Sequence, residues 1–282
     1  MSTNIIVGVT AAPAAARALE WAVARAAERR HDLTLISVVG GAIGAVGEGD
    51  VLVQAMDAAA ANLATAAERI AEAHPTLTVT TRVEAGNPVA VLLEASESAD
   101  LLVIGSDYRG QGQGPARGAH GIRLAAGAHC PVVVVPDIDP KGRRGVVVGV
   151  DGGQVSEHAL RFAAAEADRL GEPLTVVSVW TPLAAPRNDL AVYPELYLTN
   201  MQATTEEIQA LALAGIASDH PDLEVIRRVE QGFPSQVIDE AAQTARMAVV
   251  GTHGRGAIAR FLLGSVSHEV LSRLSTVTAV VR

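Results

Sequence analysis

The strongest constraint on the fold is an internal repeat, because two stretches of the chain recur at one fixed spacing. Residues 4–10 read NIIVGVT and residues 145–151 read GVVVGVD, which is an offset of 141 residues (151 minus 10). Residues 33–39 (LTLISVV) match residues 174–180 (LTVVSVW) at the same offset. This self-similarity predicts two copies of one domain joined head to tail.

The repeat continues through the later part of each copy at a slightly larger offset. Gly86-Asn-Pro matches Gly232-Phe-Pro at 146 residues (232 minus 86), so the second copy contains five extra residues (146 minus 141), which we place after Trp180. The stretch 138–144 is polar and contains Pro and Gly, a composition typical of a linker. We therefore expect a first domain at 1–137, a linker at 138–144 and a second domain at 145–282.

Each copy alternates short runs rich in Val, Ile and Leu with longer Ala-rich segments. This alternation is typical of β-α-β units that close a parallel sheet buried on both faces, so the predicted fold class is α/β. In the second copy we expect strands near 145–151, 174–180, 223–229, 246–252 and 277–281. We expect helices near 154–171, 200–219, 233–245 and 263–274.

Charge and cysteine content narrow the function classes. Asp and Glu number 31 against 22 Lys and Arg, and the net charge of −9 repels a phosphate backbone, so no nucleic-acid partner is expected. The single cysteine, Cys130, cannot form an intrachain disulfide. The chain lacks a signal-like start and an apolar segment of about 18 residues, so we expect a cytoplasmic protein without a membrane partner.

The loops at the strand ends are where chemistry is expected, because ligands of open parallel sheets bind beyond the carboxyl ends of the strands. The first strand of the second copy ends in Val150-Asp151, which places a carboxylate at a strand tip. This carboxylate can accept hydrogen bonds from an adenine amino group or from ribose hydroxyls. An Asp that caps the following helix is the simpler interpretation of the same residue.

The fourth strand of the second copy leads into a glycine loop with the spacing G-x2-G-x9-G-S, formed by Gly251, Gly254, Gly264 and Ser265. Glycine lets the backbone approach phosphate oxygens and lets successive N–H groups converge on an anion. The Gly264-Ser265 pair then opens a helix, whose first N–H groups favour a phosphate. The hydroxyls of Ser265 and Ser267 can add further donors.

These features together resemble the universal stress protein family in its tandem two-domain form, and the resemblance covers essentially the whole chain. It implies two Rossmann-like domains of the adenine nucleotide alpha hydrolase-like type, each a five-stranded parallel sheet with helices on both faces. It also implies ATP as the ligand, with or without Mg²⁺. The implied site residues are Val150, Asp151, Val179, Gly251, Gly254, Gly264, Ser265, Val266 and Ser267. Thr252 and Arg255 are plausible additions to this set.

The first copy departs from this motif. The position that matches Asp151 is Thr10, and the position that matches Ser265 is Ala119 (265 minus 146). Tyr108 stands where the second copy has Gly254, and Asp107 adds a negative charge near the expected phosphate path. We therefore predict that the first domain binds ATP weakly or not at all.

Several enzyme classes are disfavoured by the residues present. A P-loop needs G-x4-G-K-[ST], yet the single lysine, Lys141, lies in the linker. The Gly264-Ser265 segment is not a G-x-S-x-G elbow, so a serine hydrolase is not predicted. No H-x3-H pair occurs, and no metal site is predicted.

Three functions remain open at this point. The favoured prediction is an ATP-binding regulatory or signalling module in stress adaptation, read by unknown protein partners and forming a homodimer. The enzymatic alternative is slow ATP hydrolysis or transfer of a phosphoryl or adenylyl group, with Arg255 or His253 assisting. The third possibility is an interaction protein that does not need a nucleotide.

Overall fold

The computed structural model describes residues 3–40, 49–106, 119–182, 195–254 and 262–282. The chain divides into two compact units, Met1–Asp139 and Pro140–Arg282. Each unit contains its own parallel sheet, and each is described separately below.

Unit 1 builds a sheet of five parallel strands in the order β3-β2-β1-β4-β5. Its central strands are buried over most of their length, with Leu101, Leu102 and Val103 each at most 1% exposed. Its elements are β1 (Asn4–Gly8), α1 (Pro13–Arg29), β2 (Asp32–Val39), α2 (Gly49–Ala73), β3 (Val79–Ala85), α3 (Pro88–Ala95), a 3₁₀ turn (Ser96–Ser98), β4 (Leu101–Ser106), α4 (Ala119–Gly127) and β5 (Val132–Pro136).

Unit 2 repeats this arrangement with five parallel strands in the order β8-β7-β6-β9-β10. Its elements are β6 (Val146–Gly149), α5 (Gln154–Leu170), β7 (Leu174–Trp180), α6 (Glu195–Leu213), α7 (Ile216–Asp219), β8 (Val225–Gln231), α8 (Pro234–Ala242), β9 (Met247–Gly251), α9 (Ser265–Arg273) and β10 (Val277–Val281).

The direction of the crossovers places helices on both faces of the unit 2 sheet. The chain moves outward from β6 to β7 and β8 through α5 and α6, and then from β8 to β9 and β10 through α8 and α9. Right-handed crossovers in opposite directions lie on opposite faces. The predicted α/β class, with a Rossmann-like five-stranded parallel sheet in each of two tandem units, is therefore confirmed.

Small residues allow α5 to lie close to the sheet. Its inner face carries Ala159, Ala163, Ala164 and Ala167, all fully buried, and these residues recur at helical spacing. The helix ends at Gly171, whose φ of 61° is the left-handed conformation that glycine adopts without strain. As a result, α5 is held against the strands that carry the loops described below.

Strand β8 (Val225–Gln231) is shifted by two residues from the expected 223–229, and helix α8 (Pro234–Ala242) is shorter than the expected 233–245. Two further differences have a local cause. Strand β6 is limited to Val146–Gly149, whereas the expected range was 145–151, because Gly145 (φ 87°) and Gly152 (φ 77°) turn the chain on either side. The expected helix at 200–219 begins earlier, at Glu195, and is divided into α6 and α7. The division falls at Gly215, a residue that favours helix ends over helix interiors.

Candidate functional site

A cavity of about 450 Å³ lies in unit 2 at the carboxyl ends of the strands, where β7 and β9 diverge on either side of β6. This reversal of strand order is the usual ligand-binding position in open parallel sheets. The cavity is large enough for a ligand of nucleotide size. Its lining consists of Gly149, Val150, Asp151, Ser156, Val177, Val179, Pro234, Ile238, Val250, Gly251, His253, Gly254, Gly264, Ser265, Val266 and Ser267.

The carboxylate of Asp151 is fixed in place by the turn between β6 and α5. Its Oδ1 accepts a hydrogen bond of 2.9 Å from the backbone N–H of Gly153. The backbone N–H of Asp151 is 3.4 Å from Oγ of Ser156, and that hydroxyl donates to the carbonyl of Gly153 at 2.8 Å. The turn therefore holds one edge of the carboxylate, and the residue remains on the wall of the cavity.

Glycines bring the phosphate-type loop close to this carboxylate. A Cβ on Gly254 would lie 2.9 Å from Oδ2 of Asp151, and a Cβ on Gly264 would lie 3.1 Å from Cα of His253. The first distance is shorter than real Cβ contacts, and the second is tighter than most of them. The spacing of the motif thus permits a close approach of backbone to carboxylate and of backbone to backbone.

The opposite wall of the cavity is the beginning of α9. Gly264 is the N-cap residue and provides no side-chain cap, so the first-turn N–H groups of Ser265, Val266 and Ser267 have no partner within the helix. The backbone N–H of Gly264 donates to the carbonyl of Thr252 at 2.7 Å, which ties the helix start to the end of β9. A helix start of this kind favours an anion, because its N–H groups and dipole present partial positive charge.

Nine of the residues that the motif and the resemblance suggest line this cavity together. They are Val150, Asp151, Val179, Gly251, Gly254, Gly264, Ser265, Val266 and Ser267. Thr252 lies behind the cavity wall, 3% exposed, with its N–H donating to the carbonyl of Val281. Arg255 lies outside the described residues.

The two serines differ in what their hydroxyl groups contact. Ser267 is 3% exposed, and its hydroxyl donates to the carbonyl of Gly251, so it fastens α9 to the end of β9. Ser265 is the first residue of α9 and is exposed at the cavity. Ser265 is therefore the better placed of the two to donate to a ligand.

Seven lining residues lie outside the predicted set of site residues, although the enzymatic alternative already names His253 as an assisting group. They are Gly149, Ser156, Val177, Pro234, Ile238, Val250 and His253. Pro234 carried a signal, because the Gly-x-Pro loop before α8 recurs in both copies. The position of His253 at the cavity follows from the loop, where its Nδ1 lies 3.0 Å from Oγ1 of Thr252.

The charge of the lining is unevenly distributed. Among the described lining residues, Asp151 is the one carboxylate and His253 the one imidazole, while the floor is apolar with Val177, Val250 and Ile238. The carboxylate marks one wall of the cavity and the start of α9 marks the other. A ligand with a hydrogen-bond donor at one end and an anion at the other matches this arrangement.

Unit 1 contains a smaller cavity of about 200 Å³ at the equivalent strand ends. Thr10 takes the place of Asp151, and its Oγ1 accepts a hydrogen bond from the N–H of Ala12 at 3.3 Å. Ala15 takes the place of Ser156 (156 minus 141). Tyr108 and Asp107, which the sequence places on the glycine loop of this copy, lie outside the described residues. Among its described lining residues, the unit 1 cavity therefore keeps the position but has no carboxylate where unit 2 has Asp151.

Within the described ranges, no group of three or more His, Cys, Asp or Glu side chains is close enough to hold a metal ion. No helix among these residues has both the length and the apolar character needed to span a bilayer.

Comparison with known proteins gives a consistent result over both halves of the chain. The model of the universal stress protein family matches residues 1–136 and again residues 142–282. A universal stress protein of Mycolicibacterium smegmatis is 31% identical over 292 residues, covering 99% of this chain and 97% of that protein. A universal stress protein of Mycobacterium tuberculosis is 30% identical over 293 residues, covering 100% and 97%.

The fold comparison agrees. The crystal structure of a universal stress protein from Archaeoglobus fulgidus superposes with a TM-score of 0.70 and 18% sequence identity, covering 99% of this chain and 98% of that one. Because the family model matches twice and the relatives match over nearly their full length, the chain belongs to the universal stress protein family, with two family domains in tandem.

Proposed function

We propose that unit 2 binds ATP in the cavity between Asp151 and the start of α9, and that the bound state regulates the stress response. Family membership supports the stress-response role. The observation that carries the ATP proposal is the joint placement of a fixed carboxylate, two close-packed glycines and an uncapped helix start around one cavity of about 450 Å³.

The polarity of the cavity gives the ligand a direction. The base and ribose, which supply N–H and O–H donors, are expected on the side of Asp151 and Val179. The triphosphate is expected on the side of Gly264, Ser265 and Val266, where backbone N–H groups and the helix dipole favour negative charge. The reverse orientation would place phosphate oxygens against the carboxylate, which repels them.

Binding without turnover is the favoured form of this function. The only lysine, Lys141, precedes β6, so it lies toward the amino ends of the strands and away from the cavity. Phosphoryl transfer needs cationic groups on the phosphates and a group that orients the nucleophile. Among the described lining residues, His253 alone is a candidate for such a role. We therefore propose a regulatory module that protein partners sense, acting with or without Mg²⁺ and as a homodimer.

The first test is the amount of nucleotide that the purified chain carries. After denaturation, we expect about one ATP per chain, quantified by chromatography, since unit 1 lacks the carboxylate and is expected to bind weakly or not at all. Gly264→Glu should abolish retention, because it adds a charged side chain where even a Cβ would lie 3.1 Å from His253 Cα. Gly118→Glu, at the matching position of the first copy (264 minus 146), should retain it.

A milder variant separates a lost contact from a damaged loop. Asp151→Thr gives unit 2 the residue that unit 1 has at this position, and we expect ATP affinity to fall about tenfold or more, the effect of losing a charged hydrogen-bond acceptor.

Retention of two nucleotides per wild-type chain would contradict the single-site proposal. Accumulation of ADP during incubation of the purified chain would favour the enzymatic alternative instead.

A further inference from the structure

The unit 1 cavity of about 200 Å³ is bounded by aliphatic core residues. Ile36, Leu92, Ile104 and Leu124 line it, and each is at most 7% exposed. They belong to β2, α3, β4 and α4 in turn, so four elements surround one space. The cavity is therefore an apolar opening into the core of unit 1, at the strand ends where open parallel sheets bind their ligands.

The polar groups of the unit 2 cavity are replaced in unit 1. Thr10 takes the place of Asp151 and Ala15 the place of Ser156, and both replacements line the unit 1 cavity. Among the described lining residues, this cavity has no Asp, Glu, Lys or Arg. A charged ligand would thus lose its hydration there without gaining a charged partner from these residues.

The aliphatic lining is also larger in unit 1. Val177 of unit 2 corresponds to Ile36 (177 minus 141) and Val250 corresponds to Ile104 (250 minus 146), so each position gains a methylene group. The cavity volume is smaller, about 200 Å³ against about 450 Å³ in unit 2. The unit 1 cavity thus favours a ligand that is smaller and less polar than a nucleotide.

The polar side chains of this cavity lie at its mouth. Among the described lining residues they are Thr10 and His120, and both are exposed, whereas the aliphatic residues of the floor are buried. An ordered water needs about two to four polar partners, which aliphatic side chains do not provide. Water at the floor is therefore weakly held, and an apolar group that displaces it gains affinity.

We propose that unit 1 binds a small, neutral, mostly apolar molecule of one or two rings in this cavity, with its polar atom toward Thr10 and His120. A cavity of about 150 Å³ lined by apolar residues can bind benzene, so about 200 Å³ suits a slightly larger compact molecule. An apolar lining with a few polar groups is typical of small-molecule sites. The inference concerns unit 1 alone and does not depend on ATP binding by unit 2.

The probe is indole, titrated into the full-length chain by isothermal calorimetry. We expect a dissociation constant on the order of 0.1 mM. Burial of an apolar ring should also make the heat-capacity change of binding negative, which titrations at several temperatures would measure. Absence of binding with indole up to about 2 mM would overturn the inference.

Two variants locate the bound indole. Thr10→Asp gives unit 1 the residue that unit 2 has at this position, and the dissociation constant should rise about tenfold or more, because binding must desolvate the new charge. Val89 lines the cavity and is partly exposed. Val89→Phe should also raise the dissociation constant about tenfold, because a larger side chain occupies part of the space without adding charge.

Thr65→Asp is the matched control, because it makes the same substitution at an exposed residue of α2 that does not line the cavity. It should bind indole within about twofold of the wild type. Indole binding that stays within about twofold of the wild type in both Thr10→Asp and Val89→Phe would place the indole elsewhere and overturn the inference. The proposed function fails separately, since a chain that binds no ATP should still bind indole.

Discussion

Gly105 lies so close to helix α1 that no side chain fits there. A Cβ at this position would lie 2.5 Å from the backbone nitrogen of Ala15 and closer still to the carbonyl group of Ala14. Gly105 is also the first glycine of the altered loop in unit 1, where the phosphate-type features are otherwise largely lost. Helix packing alone therefore explains why this glycine is present, and its presence is no sign of nucleotide binding.

Replacing Gly105 with Ala should lower the free energy of unfolding by about 3 kcal/mol, because backbone atoms of α1 would have to move. The matched control is Gly251→Ala in unit 2. There the added Cβ would lie 2.8 Å from Cγ1 of Val155, a side-chain atom that can shift, and 3.5 Å from the nearest Val155 backbone atom. We expect the control to cost about 1 kcal/mol in urea unfolding. Equal losses would show that backbone contact is not the decisive factor.

At the residue scale, the sequence identifies the part of the site that lies on the strand-end loops. Motif position predicts four site residues, namely Asp151, Gly254, Gly264 and Ser265. Their roles depend on local backbone geometry and on charge, which the sequence shows directly. Ser156, Pro234 and Ile238 do not follow from it, because they reach the cavity from α5 and α8. Their positions depend on how deeply each helix packs on the sheet, which no local spacing specifies.

At the element scale, α6 is attached to its sheet through a polar contact. Within this helix, Gln209 is the buried residue, at 0% exposure. Its Nε2 lies 3.0 Å from the carbonyl of Val176, 3.0 Å from that of Arg228 and 3.2 Å from Oγ of Ser178. Its Oε1 accepts from Nε of Arg227 at 3.1 Å. One amide thus joins α6 to both β7 and β8.

Gln209→Glu should destabilise unit 2 by about 2 kcal/mol, because it keeps the shape but removes the donors to buried acceptors. Hydrogen exchange should become faster mainly in α6 and β8, and urea unfolding should give the total loss. Gln243→Glu is the matched control, since Gln243 is exposed and should change stability by about 0.5 kcal/mol or less. A loss no greater than that of the control would show that Gln209 does not hold the helix.

The same helix shows the limit of pattern-based prediction for whole elements. The expected ranges for β7 (174–180) and β10 (277–281) agree with the structure, because runs of buried Val and Leu make these strands distinct. The start of α6 at Glu195 was not expected. The buried residue of α6 is the polar Gln209, and its other residues are intermediate or exposed. The helix therefore lacks the buried apolar stripe that would show where it begins.

At the scale of the whole molecule, two units share one fold and differ in their strand-end chemistry. The fold alone does not determine which unit binds a ligand, because function depends on the residues of the site. Asp151, Ser156 and Phe233 in unit 2 correspond to Thr10, Ala15 and Asn87 in unit 1. The repeat therefore predicts the architecture of both units, and the substitutions between copies predict where they diverge.

Each unit also contains one of the two tryptophans of the chain, which allows the units to be followed separately. Trp21 lies in α1, and Trp180 ends β7 directly after Val179 of the proposed site. Trp180 is 7% exposed, and its indole N–H donates to Oε1 of Gln202 at 2.6 Å. Its fluorescence should change when this buried environment is lost on unfolding.

ATP should stabilise the unit that binds it and leave the other unchanged, because a ligand stabilises only the native form that it occupies. In Trp21→Phe, where Trp180 reports on unit 2, ATP at about 100 times its dissociation constant should add about 2.7 kcal/mol and raise the unfolding midpoint by several degrees. In Trp180→Phe, where Trp21 reports on unit 1, the midpoint should not move. Equal rises at both tryptophans, with two nucleotides bound per chain, would show that unit 1 binds ATP despite Thr10.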